Sequence, residues 1–134
     1  MLVIDASAMV EALTSDPADI PDLIARLRGA EWMSAPFLID YAVHNVLRKM
    51  VFRGDISQEL AEESRHAFRN LRLSRHAMTE DMANRVWELR QNASAYDASY
   101  VALAETLGVP LITTERRLAE GLKGLASIDI ESYA

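Results

Sequence analysis

At 134 residues, 50% of them hydrophobic and 25% charged, the chain has the length of one ordinary domain and enough apolar side chains for a core without cross-links. The absence of cysteine excludes a disulfide framework, a thiol nucleophile and a zinc site built on Cys. Twenty acidic against 14 basic residues give a formal net charge of -6, the wrong sign for general attraction to nucleic acid, so such a substrate requires a local basic patch.

The N-terminal run Leu2-Val3-Ile4 is β-branched and apolar, and Asp5-Ala6-Ser7 supplies helix-capping side chains before the apolar positions up to Leu13. A strand feeding a helix follows. No basic segment precedes the run, as a signal peptide would need, and no apolar stretch approaches the length of a membrane span, so a cytoplasmic protein is expected. Asp16-Pro17 breaks the helix, Ile20 to Leu27 forms the next, and Trp32-Met33 resembles a brief strand. From Pro36 to Arg53, Leu38, Ile39, Val43, Val46, Leu47 and Met50 recur at helical spacing, and Gly54 is placed to end the helix.

Ser57 to Leu71 is the following helix, and Leu71-Arg72-Leu73 is read as a strand. Thr79, with Glu80 and Asp81 behind it, opens a helix running to about Gln91. Ser94 caps another, Ala95 to Leu107, stopped by Gly108. Val109 to Thr113 is a strand, Arg116 to Leu122 a short helix, and Ser127 to Ile130 a last strand. Strands alternating with helices, without hairpin signals, predict a parallel sheet covered on both faces within one domain spanning 1–134.

In such sheets ligands bind beyond the carboxyl ends of the strands, where strand order reverses. Asp5 stands at one strand end, Glu115 leaves another, and Asp97 lies in the first turn of a helix. Each acid alone is accounted for by capping or by complementing a helix dipole. Gathered in one cleft they repel, by about 4 kcal/mol for a pair about 4 Å apart at an effective dielectric of about 20, and so call for a cation. Oxygen ligands suit Mg²⁺ or Mn²⁺; the lack of Cys and of short spacing among His44, His66 and His76 disfavours zinc.

Four segments carry a family resemblance: Ile4-Asp5-Ala6-Ser7-Ala8, Pro36 to Lys49, Tyr96-Asp97-Ala98-Ser99-Tyr100-Val101-Ala102-Leu103-Ala104, and Leu111-Ile112-Thr113-Thr114-Glu115-Arg116-Arg117-Leu118. In this order and spacing, and over essentially the whole chain, they resemble the successive motifs of VapC-type PIN-domain toxins. The resemblance implies a three-layer α/β/α sandwich and a Mg²⁺- or Mn²⁺-dependent endoribonuclease. It also implies a homodimer, RNA as substrate and a VapB-type antitoxin as partner.

Asp5 and Asp97 match the family's acids. Glu115 falls where the family more often has Asp, which keeps the charge but moves it outward. Ala42 occupies a position on the long helix where such toxins usually carry Glu. Asn45, three residues on, shares that helix face, whereas Asp40 is expected to face elsewhere. Ser7 is a candidate for orienting a carboxylate, with helix capping as its plain alternative. Arg48, Lys49, Arg53, Arg116 and Arg117 are the candidate RNA-binding surface.

Two further readings bear on the same acids. The first is a binding module that keeps the antitoxin surface while Ala42 weakens catalysis. A phosphoacceptor receiver domain is the second, and it fits less well: Asp5 is followed by Ala6 rather than a second acid, and Lys123 precedes the last strand.

Overall fold

A computed structural model describes residues 1–134. Five strands, β1 (Leu2–Ile4), β2 (Met33–Pro36), β3 (Ser74–His76), β4 (Leu111–Thr113) and β5 (Ile130–Ser132), form one sheet in the order β3-β2-β1-β4-β5. Every pairing is parallel. The helices are α1 (Ala6–Thr14), α2 (Pro21–Arg28), α3 (Leu38–Arg53), α4 (Gln58–Asn70), α5 (Glu80–Glu88), α6 (Ala95–Leu107) and α7 (Arg116–Gly121).

Helix contacts fall into two groups. α1 packs with α2, α3 and α4, and α6 packs with α5 while covering β1, β2 and β4. The result is the three-layer α/β/α sandwich expected from the sequence. The sheet order also disposes of the receiver reading, whose doubly wound sheet runs 2-1-3-4-5 rather than 3-2-1-4-5.

From β1 the chain winds outward through β2 to β3, then returns to the other side of β1 for β4 and β5. Strand order therefore reverses between β1 and β4, which pair with Val3 opposite Leu111 and Ile4 opposite Ile112. The crevice that opens beyond their carboxyl ends is the place where this topology binds ligands.

Rigid elements hold that crevice. Leu2, Val3, Ile4, Leu111 and Ile112 are wholly buried, each such side chain contributing about 1.5 to 3 kcal/mol relative to exposure. α6 is buried continuously from Ala98 to Ala104, as a helix apolar all round must be. Its start is fixed by Ser94, whose hydroxyl accepts from the Asp97 amide at 3.1 Å, and its end by Gly108 at φ +67°, a left-handed conformation suited to glycine.

The element boundaries that depart most from the sequence reading are at the long helix and the two edge strands. Pro36 closes β2 instead of opening the long helix, which starts at Leu38. The strand expected at Leu71 to Leu73 lies at Ser74–His76, and the last strand at Ile130–Ser132 rather than Ser127 to Ile130. No helix is long and apolar enough to cross a membrane.

Candidate active site

Asp5 follows β1 directly and is 5% exposed. Its Oδ1 accepts from the Ala8 amide at 2.9 Å, capping α1, and from the Ser7 hydroxyl at 2.7 Å. Ser7 is thus not the cap. Its oxygen also accepts from the Thr114 amide at 3.1 Å and lies 3.3 Å from the Thr113 hydroxyl, so it ties the end of β1 to the end of β4. Thr113 in turn accepts from the Glu115 amide at 3.0 Å, which fixes the backbone from which Glu115 projects.

Asp5, Ser7 and Glu115 line one cleft of about 490 Å³. Asp5 and Ser7 come from β1 and α1, Glu115 from the end of β4, Asp97 and Tyr100 from α6, and Ala42 and Asn45 from α3. The sequence-predicted acids therefore share one wall system, with Ala42 and Asn45 facing them. Asp40 points away, bound by Arg75 through Nε at 2.7 Å and Nη2 at 2.8 Å. A second depression, of about 840 Å³, adjoins the first: Asp97 and Glu115 line both, and Arg90 and Arg117 line the second.

Electrostatically the cleft is uncompensated. None of the ion pairs in the structure includes Asp5, Asp97 or Glu115. Burial pushes the Asp5 carboxyl above its ordinary range, and the Glu115 charge adds to that. Hydrogen bonds from Ala8, Thr113 and Ser7 oppose the shift without cancelling it. Tyr100 is buried in the lining of the same cleft.

The donor set, carboxylates with hydroxyls and one amide, fits a hard divalent cation. In this structure, however, no three His, Cys, Asp or Glu side chains close around a single point. What favours a cation is that Asp5 is buried and forms no ion pair, because a buried acid with no basic partner gains most from a positive charge.

The candidate basic residues divide. Arg117 lines the depression beside the acids, and Arg116 is exposed next to it. Lys49 and Arg53 are exposed further along α3 and do not line the cleft. Arg48 faces another groove with His44 and Arg65, its guanidinium 4.6 Å from the Phe52 ring centre.

Sequence reasoning did not single out Tyr41, Tyr96 or Tyr100, all of which line the cleft. Helical spacing carried the signal for two of them, since Tyr96 and Tyr100 are four apart and flank Asp97 on one face. Arg90 came from outside any regular element that meets the cleft, and no local pattern marks it.

Fold and cleft together define a doubly wound α/β protein with an acidic, oxygen-lined site at its switch point. The PIN domain family profile matches residues 2–121, and the chain belongs to that family, among its VapC-type members. It is 38% identical to Ribonuclease VapC9 of Mycobacterium tuberculosis over 120 residues, 90% of each chain. To Ribonuclease VapC12 of the same organism it is 38% identical over 130 residues, 97% of this chain and 98% of the relative. Among solved structures, VapBC2 from Rickettsia felis, bound to a DNA fragment from their promoter, shares the fold with a TM-score of 0.70 at 13% identity, covering 99% of this chain and 98% of that one.

Proposed function

We propose that the chain is a divalent-metal-dependent endoribonuclease and the toxin of a VapBC-type pair, working in the cytoplasm as a homodimer that a VapB-type antitoxin holds inactive. The observation that carries the chemistry is the trio Asp5, Asp97 and Glu115: three carboxylates from three elements, lining one cleft at the switch point without a basic partner. Kinship to VapC ribonucleases over nearly the full length supports RNA as the substrate.

Asp5, Asp97 and Glu115 would hold Mg²⁺ or Mn²⁺, with Asn45 as a neutral oxygen donor on the facing helix. A cation held there supplies charge that polarises a phosphodiester and activates water. The chain's own part is to fix those oxygens. Ser7 orients Asp5 and ties β1 to β4, and Thr113 fixes the Glu115 backbone. Arg117 and Arg90, beside Asp97 and Glu115, offer the positive charge that a phosphate backbone needs as it approaches an acidic cleft. Arg116, next to Arg117, adds to that surface, and Lys49 and Arg53 on α3 are candidates for more distant contacts with RNA.

Ala42 leaves the helical wall without a carboxylate, so the cleft carries three negative charges where a fourth acid would make four. This favours single or weak metal occupancy and a modest turnover. The test is cleavage of a panel of structured RNAs with Mg²⁺, Mn²⁺ or EDTA, for the wild-type chain and Ala42→Glu. Metal-stimulated cleavage that EDTA abolishes is expected; intact RNA under every condition in both forms would overturn the nuclease reading.

A further inference from the structure

One polar atom in the cleft has no use in this scheme. The Tyr100 hydroxyl is buried and has no hydrogen-bond partner, although the residue is 3% exposed and lines the cleft. The Ala6 amide approaches the phenol oxygen as a hydrogen-bond donor, short of full hydrogen-bond geometry, and nothing accepts the hydroxyl proton. Asp5 and Asp97 are also within electrostatic reach, yet neither carboxylate accepts its proton. Asp5 instead uses Oδ1 for Ser7 and Ala8.

A buried hydroxyl left unpaired is costly, and phenylalanine would fill the same volume without that cost. Burial, followed by the charges of Asp5 and Asp97, holds the phenol well above its ordinary range. It stays protonated at neutral pH and is available only as a donor or a neutral acceptor. Tyr96 stands one turn earlier on the same helix face and is 70% exposed, so the neighbouring position on that face is open to solvent.

We propose that the Tyr100 hydroxyl is a catalytic hydrogen-bond donor for a non-bridging oxygen of the phosphate being cleaved, its partner arriving with the RNA. The proposal rests on the nuclease reading. A hydroxyl aimed at an oxygen that gains negative charge in the transition state acts on rate more than on binding. It also supplies, inside an acidic cleft, a donor that adds no positive charge and so does not compete for the carboxylates that would hold the cation.

The experiment compares wild type with Tyr100→Phe, in the native chain and in an Ala42→Glu background. Melting in EDTA comes first: the variant should melt at the same temperature or higher, because only an unpaired group is removed. With Mn²⁺ and RNA, kcat should fall about 10- to 100-fold while KM stays within about twofold. Substrates with sulfur replacing each non-bridging oxygen in turn identify the partner. One sulfur isomer should slow the wild type while adding little to the loss already caused by Tyr100→Phe.

A lower melting temperature in EDTA, with activity falling only as the folded fraction does, would make the hydroxyl structural and overturn the proposal. Unchanged kcat, or additive losses with both sulfur isomers, would overturn it as well. Either result leaves the nuclease reading standing, because the wild type still cleaves. A wild type and Ala42→Glu that both leave RNA intact would overturn that reading and the proposal together.

Discussion

Two sets of carboxylates in this molecule contrast. Asp40, Glu105 and Glu131 each meet an arginine in a two-pronged pair, with contacts of 2.7 and 2.8 Å, 2.8 and 3.1 Å, and 2.8 and 3.2 Å. These pairs join elements distant in sequence, and in two of them the arginine favours the charged form of the acid. For Glu105 burial pushes upward, but Arg85 and the Ser127 amide outweigh it and hold the carboxyl below its usual range. Glu131 is lowered chiefly by Arg26. Asp5, Asp97 and Glu115 form no ion pair, and Asp5 moves the other way. Three acids that join elements are thus matched by arginine, whereas the three that line the switch-point cleft form no ion pair, which leaves room there for a charge that the chain does not itself supply.

The largest effect should come from removing charge at the bare site. Asp97→Asn keeps the shape and the first-turn position, so melting in EDTA should be unchanged while metal-dependent cleavage of RNA falls about 100-fold or more. Cleavage equal to wild type would reduce Asp97 to a helix-dipole residue and erase the contrast. The next effect comes from adding charge. Ala42→Glu should tighten Mn²⁺ binding about tenfold by calorimetric titration and raise cleavage in parallel, because two divalent ions neutralise four carboxylates but overcharge three. Equal affinity in both forms would show that position 42 does not act on the metal.

Much of this contrast was readable in the sequence. Asp5 and Glu115 end runs of buried apolar residues, and Ser94 and Gly108 bracket the helix that carries Asp97, so strand ends and helix starts were locally marked. Whether β1 and β4 were neighbours was not, since pairing of strands more than a hundred residues apart is a tertiary fact. The edge strands were misplaced for a related reason. β3 and β5 are three residues long and half-exposed, and each carries a charged residue, Arg75 or Glu131. They hold their places by pairing and by arginine contacts rather than through any apolar signature. Pro36 was assigned to the helix because proline favours a first turn, yet at the last position of β2 it costs the sheet little. Arg48 joined the candidate basic surface on composition alone, but the helix turns it toward Phe52 and the opposite groove.

The compensated acids should break differently. Glu105→Ala leaves Arg85 without its main partner and the Ser127 amide unpaired, which should cost about 1 to 3 kcal/mol by denaturant unfolding and leave metal response and cleavage per folded molecule unchanged. Because the folded carboxyl sits below its ordinary value of 4.5, its contribution is present above that pH and is lost as the pH falls through the lowered value. Wild-type stability should therefore drop on acidification below about pH 4.5, and Glu105→Gln should flatten that part of the profile. An undiminished acid slope in Glu105→Gln would place the pH dependence elsewhere.

The smallest expected effect is the stabilisation of the native chain by the cation itself. A ligand bound only by the folded state at about five times its dissociation constant adds about 1 kcal/mol, which for a chain of this length raises Tm by about 3 to 5 °C. Mn²⁺ at millimolar concentration should produce such a shift at pH 7, EDTA should remove it, and Asp97→Asn should not show it. Magnesium should act in the same direction, and sodium chloride at matched ionic strength should give a clearly smaller rise, since screening weakens the mutual repulsion of the acids without occupying the cleft. The size of the shift also orders the variants: Ala42→Glu should melt lower than wild type in EDTA, because a fourth carboxylate adds repulsion to an uncompensated cleft, and should gain more than wild type from Mn²⁺. Crossing of the two curves as Mn²⁺ is added would tie the bare acids to a cation by stability alone, with no reliance on cleavage, whereas parallel curves would mean that the acids on α6 and at the strand ends do not share a site with the facing wall of α3.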